Sequence, residues 1–160
     1  MSKKIVFFLA ALFILFVASG CSIIHTITGN VGEMEEYLVD TAEITNEYNH
    51  LKDKVEQLIE TNVPADTVTE TVIIPTLERL ISQSQEYGEN ISNEELKEIH
   101  QLYTQTYEVE LHAEKEWLID LDDHTYNERI IEVVQMDEDY RNKIEELGKK
   151  WGMEIDWDLL

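Results

Sequence analysis

Residues 125–151 read TYNERIIEVVQMDEDYRNKIEELGKKW. Tyr126, Ile130, Val133, Asp137, Tyr140, Ile144, Leu147 and Trp151 follow one another at alternating steps of four and three, unbroken over seven steps. An α-helix turns once in about 3.6 residues, so side chains at those steps share one face. The stretch predicts a long helix that buries this face and leaves its acids and bases in water. Thr125-x-x-Glu128 reads as a capping box at its start. Lys149 and Lys150 stand in the last turn, where cations oppose the helix dipole, and Gly152 is placed as the C′ residue.

The same signature recurs upstream. From Glu33 a stripe runs through Met34, Leu38, Thr41, Thr45 and Tyr48, with Ile44, Leu51, Val55 and Leu58 beside it, until Asn62-Val63-Pro64 ends it. Thr67-x-x-Glu70 reads as a second helix start, followed by Val68, Val72, Ile73, Leu77, Leu80 and Ile81. Pro75 inside that helix predicts a kink or a restart. The β-branched run Val72-Ile73-Ile74 would suit a strand, but no second such run exists to pair with it. Gly88 is placed to close this helix. Ser92-x-x-Glu95 opens a third, with Leu96, Ile99, Tyr103, Tyr107, Leu111, Leu118 and Leu121, reaching about Asp122. The expectation is an all-α fold, an antiparallel bundle of four helices over residues 33–152. Three helices result instead if Asp122-Asp123-His124 is continuous helix. The tail, residues 153–160, alternates Ile155, Trp157 and Leu159 with acids, and either folds back along the bundle or waits for a partner.

Charge divides the chain. It carries 34 acids and 12 bases, a net charge of −22, and every acid lies after Cys21. From Cys21 onward 34 acids face 10 bases, a net −24 over 140 residues. Such a surface repels phosphate backbones and no basic stripe offsets it, so a nucleic-acid partner is disfavoured. One cysteine permits neither an intrachain disulfide nor a Cys-based zinc site.

Before that acidic domain stands a basic start, Lys3-Lys4, and an uninterrupted apolar run of 14 residues from Ile5 to Ala18. The run is short for a membrane span and fits the apolar region of a signal peptide. Ala18-Ser19-Gly20-Cys21 then resembles the lipobox of bacterial lipoproteins. The resemblance covers about 22 residues, and Ala18 stands where that family most often has Leu. It implies cleavage between Gly20 and Cys21, removal of residues 1–20 as signal peptide, and a lipid on Cys21. Residues 21–32 would then form a tether and the domain would sit outside the cytoplasm, held at the cell membrane through that lipid. An uncleaved anchor running on through Ile23 and Ile24 is the competing reading. The length, acidity and helical pattern are also similar to small uncharacterised helical cell-envelope lipoproteins of Gram-positive-type bacteria, among them those described as cell-wall-binding.

Candidate chemistry is sparse. Glu108, His112 and Glu116 share a helix face at i, i+4 spacing and are the best metal candidates, although acids this numerous make chance pairs common. No Gly-x-Ser-x-Gly elbow and no Gly-rich phosphate loop occurs, and neither a cofactor nor an enzymatic activity is expected. The aromatic set, with Tyr103, Tyr107 and Trp117 on one helix and Tyr126, Tyr140 and Trp151 on another, reads either as core or as a Tyr- and Trp-rich groove. Trp157, Trp151 and Ile155 are the candidate partner-binding residues, Trp157 as an exposed anchor. The function expected is non-enzymatic binding at the envelope, to an envelope protein or a cell-wall component. The alternative is a small-molecule or divalent-metal-handling bundle. The intact mass of the mature protein checks the lipobox: a chain beginning at Cys21 with added lipid is expected, and one beginning at Ser2 or Ser22 without lipid overturns it.

Overall fold

The structure, a computed structural model, describes residues 29–157 with their side chains. The leader, Gly20, Cys21 and the tether as far as Thr28 lie outside the described residues. The first helix, α1 (Lys3–Glu60), is therefore described from Gly29 onward. Gly29–Gly32, expected in a tether, are helical. Four long helices form the bundle among the described residues, with no strand. After α1 come α2 (Ala65–Val68), a π-helical turn over Thr69–Ile73 and α3 (Ile74–Asn90), which together make one bent helix. Then follow α4 (Glu94–Asp120) and α5 (Asp123–Trp151).

Each boundary has a local cause. At the end of α1, Asn62 takes a left-handed conformation (φ 60°), and Val63 and Asn62 return their N–H groups to Leu58 and Ile59 (3.0 and 2.9 Å). This is a Schellman closure with Asn in place of Gly. Gly152 (φ 83°) closes α5 the same way, through Met153 N–H to Gly148 and Gly152 N–H to Lys149, as the sequence predicts. The three capping boxes do not form as read. Pro64 precedes α2 and offers no side-chain cap. Asn93 rather than Ser92 caps α4, its Oδ1 accepting from Leu96 N–H (3.2 Å). Asp122 rather than Thr125 caps α5, its Oδ1 accepting from His124 N–H (3.1 Å). At α4 and α5 an Asn or Asp, both strong N-cap residues, takes the place expected of Ser or Thr. The break at Asp122 makes α4 and α5 separate helices, so the bundle has four helices and not three.

Pro75 acts as expected, with a refinement. It has no N–H and its ring cannot sit under the carbonyl four residues back. The chain answers by widening Thr69–Ile73 into a π turn and restarting at Ile74, with Pro75 in the first turn of α3. Gly88 does not end α3, which runs to Asn90. Its role is clearance: a Cβ built there meets the His100 ring 2.7 Å away at Cδ2.

The helices alternate in direction. Glu33 accepts from Asn93 N–H (3.0 Å) at one end, and Tyr48 reaches Glu110 farther along, so α1 and α4 run parallel. α3 and α5 run against both and lie between them, with α1 and α4 diagonal. Met34, Leu38, Leu51, Leu77, Leu80, Leu96, Ile144 and Leu147 fill the core. The α5 stripe reads out as predicted: Val133, Tyr140, Ile144, Leu147 and Trp151 are buried, with Tyr126, Ile130 and Asp137 half-buried. Met153, Ile155 and Trp157 fold back on the bundle, and Ile155 lies against Gly148. Among the described residues no helix is long and apolar enough to cross a membrane. Gly88→Ala tests the packing. Ala gains about 1 kcal/mol of helix propensity, but overpacking costs about 1–3 kcal/mol, and His100 is pinned on both nitrogens. Chemical denaturation is expected to show net destabilisation.

Candidate functional site

α4 buries an unusual face. Leu96, His100, Tyr103, Tyr107, Glu110 and Glu114 follow at steps of four and three, and all are buried. Opposite them α1 presents Tyr37, Thr41, Thr45 and Tyr48. The bundle axis is therefore a polar seam between two parallel helices, and each group in it finds a partner.

At one end His100 donates from Nε2 to the Ser84 carbonyl (2.8 Å), and its Nδ1 faces the Tyr37 hydroxyl (3.3 Å). Burial lowers the His100 pKa, which keeps the ring neutral. The Ser84 hydroxyl lies 3.2 Å from Nε2 and 2.6 Å from the Thr104 hydroxyl. A serine beside an imidazole invites a catalytic reading, but Ser84 and His100 are 0% and 2% exposed, and the Nε2 proton is directed at a carbonyl. In the middle, Tyr107 donates to the Tyr103 hydroxyl (2.9 Å), which also meets Thr45 Oγ1 (3.0 Å). Farther along, Tyr48 donates to the Glu110 carboxylate (2.7 Å to Oε2). Beyond that, Tyr126 and Thr69 donate to Glu114 (2.6 and 3.2 Å).

Where α1 and α5 face each other the packing opens into a cleft of 430 Å³, within the size range of small-molecule sites. Tyr103, Tyr107 and Glu110 of α4 line it from below, and the tail adds Trp157. The aromatic side chains form one connected wall: Tyr48–Tyr107 (centroids 5.3 Å apart), Tyr107–Tyr103 (5.2 Å), Tyr103–Tyr140 (5.0 Å) and Tyr140–Trp157 (6.3 Å). Lys52, Asp137, Glu138 and Arg141 surround the opening. Arg141 is held by Asp137 (2.9 Å).

Glu110 sets the electrostatics. Desolvation pushes its pKa up to about 7, with Glu114 adding to the rise and the Tyr48 hydrogen bond and Lys52 opposing it. Burial also raises Glu114, against the hydrogen bonds from Tyr126 and Thr69. The phenols of Tyr48, Tyr107 and Tyr126 are pushed up by burial and stay neutral in any physiological range.

The residues singled out from sequence are placed as follows. Glu108 and His112 are exposed on the far face of α4, and Glu116 is half-buried. His112 Nδ1 meets Glu116 (3.1 Å), while Glu108 accepts from Gln85 Nε2 (2.9 Å). The three do not converge, and no group of three metal-capable side chains occurs among the described residues. Trp151 is buried in the core. Trp157 is half-buried, not an exposed anchor: its Nε1 donates to Glu145 (3.0 Å), and Arg141 lies over its ring. Glu110, Glu114 and His100 are the residues that sequence reasoning missed. Comparison with known families, characterised proteins and solved structures finds no match for this chain.

The pH dependence of stability tests the environment of Glu110. Its native pKa lies above the unfolded value, so the native state holds the proton longer. Stability from this group is full below about pH 4.5 and is lost as pH rises through about 7. The whole effect is on the order of 3 kcal/mol. His100 acts in the opposite sense, its stability present above its unfolded pKa and lost on acidification. That contribution is common to wild type and Glu110→Gln and cancels in the difference between them. Urea titrations are expected to show E110Q more stable than wild type at about pH 8 and indistinguishable near pH 4.

Proposed function

We propose that this chain is a lipid-anchored, extracytoplasmic, non-enzymatic binding protein, and that the cleft between α1 and α5 is where it binds. The anchoring part rests on the lipobox resemblance at Ala18–Cys21, with Cys21 carrying the lipid. The binding part rests on one observation: a 430 Å³ cleft walled by five connected aromatic side chains, with a buried carboxylate lining it. Tyr and Trp present large apolar area together with a polar tip, which is why such surfaces dominate recognition sites.

A binding cleft suits these residues better than a reacting one. The hydroxyl–imidazole pair of Ser84 and His100 lies buried away from the cleft. The expected ligand is a small molecule or a protruding group of a wall or envelope component, since the cleft is too small for a folded partner. This joins the binding reading to the small-molecule alternative and leaves the divalent-metal version without support from the placement of Glu108, His112 and Glu116.

Ala42 is half-buried and lines the cleft. Ala42→Trp is expected to fill it while circular dichroism stays that of the wild type. In an NMR screen of small amphipathic fragments against the full chain in mild detergent, shifts are expected to centre on Tyr48, Tyr107, Val133 and Trp157 and to vanish in A42W. Shifts scattered over the surface and unchanged in A42W would overturn the assignment of the cleft.

A further inference from the structure

The charge in the cleft says what kind of ligand it takes. Its lining includes Lys52 and Arg141 against Glu110, Asp137 and Glu138, a net −1 when Glu110 is ionised. Around it the domain from Cys21 onward carries −24. Both the lining and the wider field favour a positive ligand. We propose that the cleft binds an organic ammonium group, primary or quaternary, on a small apolar body, seated between the Glu110 carboxylate and the tyrosine wall. This rests on the reading of the cleft as a ligand site.

Three observations carry it. First, the ends of the aromatic wall already hold positive charge. Lys52 Nζ lies 4.3 Å from the centroid of Tyr48, and Arg141 Cζ lies 5.2 Å from that of Trp157. Aromatic faces attract cations through their quadrupole. Tyr107, Tyr103 and Tyr140 continue the same wall between those two sites. Second, the Glu110 charge is only partly met: a primary ammonium adds N–H donors to it, and a quaternary one offsets it through charge alone. A carboxylate offers about four lone-pair sites, yet a single Tyr48 hydroxyl lies within reach of both oxygens (2.9 and 2.7 Å). Third, the alternatives raise energy. An anion would meet a negative lining in a negative domain. A neutral apolar ligand would bring no counter-charge to Glu110, and an unpaired buried charge is costly.

The proton couples to this. The groups around Glu110 are Tyr48 and Lys52 from α1, Tyr107 and Glu114 from α4, and Tyr126 and Asp137 from α5; the π turn adds Thr69, which donates to Glu114. The phenols stay neutral, so Glu110 is the group whose charge changes around pH 7. Ammonium binding favours the ionised carboxylate and therefore strengthens as pH rises through about 7.

Calorimetric titration of the full chain in a non-ionic detergent tests this with three probes of matched shape: choline, neutral 3,3-dimethylbutan-1-ol and anionic 3,3-dimethylbutanoate. At about pH 8, choline is expected to bind at least about tenfold tighter than either of the others. At about pH 5.5 that preference is expected to fall by about tenfold. Glu110→Gln should lose both the preference and its pH dependence. Equal binding of choline and the neutral alcohol, a preference for the anion, a preference retained in E110Q, or no choline binding up to about 10 mM would each overturn the ammonium reading. Fragment shifts that centre on the cleft and vanish in A42W would still stand in those cases, so failure of the charge assignment is distinguishable from failure of the cleft.

Discussion

The structure depends on one constraint: α4 buries hydroxyls, an imidazole and two carboxylates on the face that packs against the bundle. A buried polar group left without a partner costs about 1–3 kcal/mol, and more when charged. Purely apolar stripes on parallel helices tolerate a slip of one turn. This seam does not, because the slip would part Tyr48 from Glu110, Thr45 from Tyr103 and Tyr37 from His100 together. The polar pairs therefore set the register of α1 against its diagonal partner, and α5 and α3 then close over the two sides. Ion pairs on the surface, such as Lys150–Glu95 (2.6 Å) and Lys115–Glu78 (2.7 Å), join exposed side chains and contribute little by comparison.

The backbone irregularities serve the same seam. Pro75 obliges the bent helix to restart, and the π turn before it carries Thr69, the hydroxyl that reaches Glu114. Gly88, one turn after Ser84, has no side chain and lets the His100 ring lie against α3. Without that close approach the imidazole could not reach the Ser84 carbonyl. A glycine that looks like a helix terminator in the sequence is here the clearance for a hydrogen bond.

Much of the fold was legible because helical period survives any composition. The four–three count in α5 named its buried face residue by residue, including half-buried Asp137. The caps were less legible. Asn93 and Asp122 compete with nearby Ser and Thr for the same N–H groups, and only the path of the chain decides between them. The floor of the cleft was hidden for a different reason. Counting on from Tyr103 and Tyr107 by three and then four reaches Glu110 and Glu114, so the period did place them inside. Hydropathy argued against it, and Leu111 and Leu118, which are half-buried, looked like the better continuation. In a chain with 34 acids, two that are buried cannot be told apart by residue type. What marks them is their position on a stripe whose other members are aromatic.

The cleft also has a definite place along the chain. Its lining on α1 spans Leu38 to Lys52, in a helix that is continuous from Gly29. At about 1.5 Å per residue, the near edge of the cleft stands ~14 Å from Gly29 along the axis and the far edge ~35 Å. In the lipid-anchored arrangement proposed above, that is more than a Debye length of about 8 Å from anything near Gly29 at physiological ionic strength. Headgroup charge is then largely screened at the cleft. The field a ligand meets there comes from the domain itself, and that field is negative.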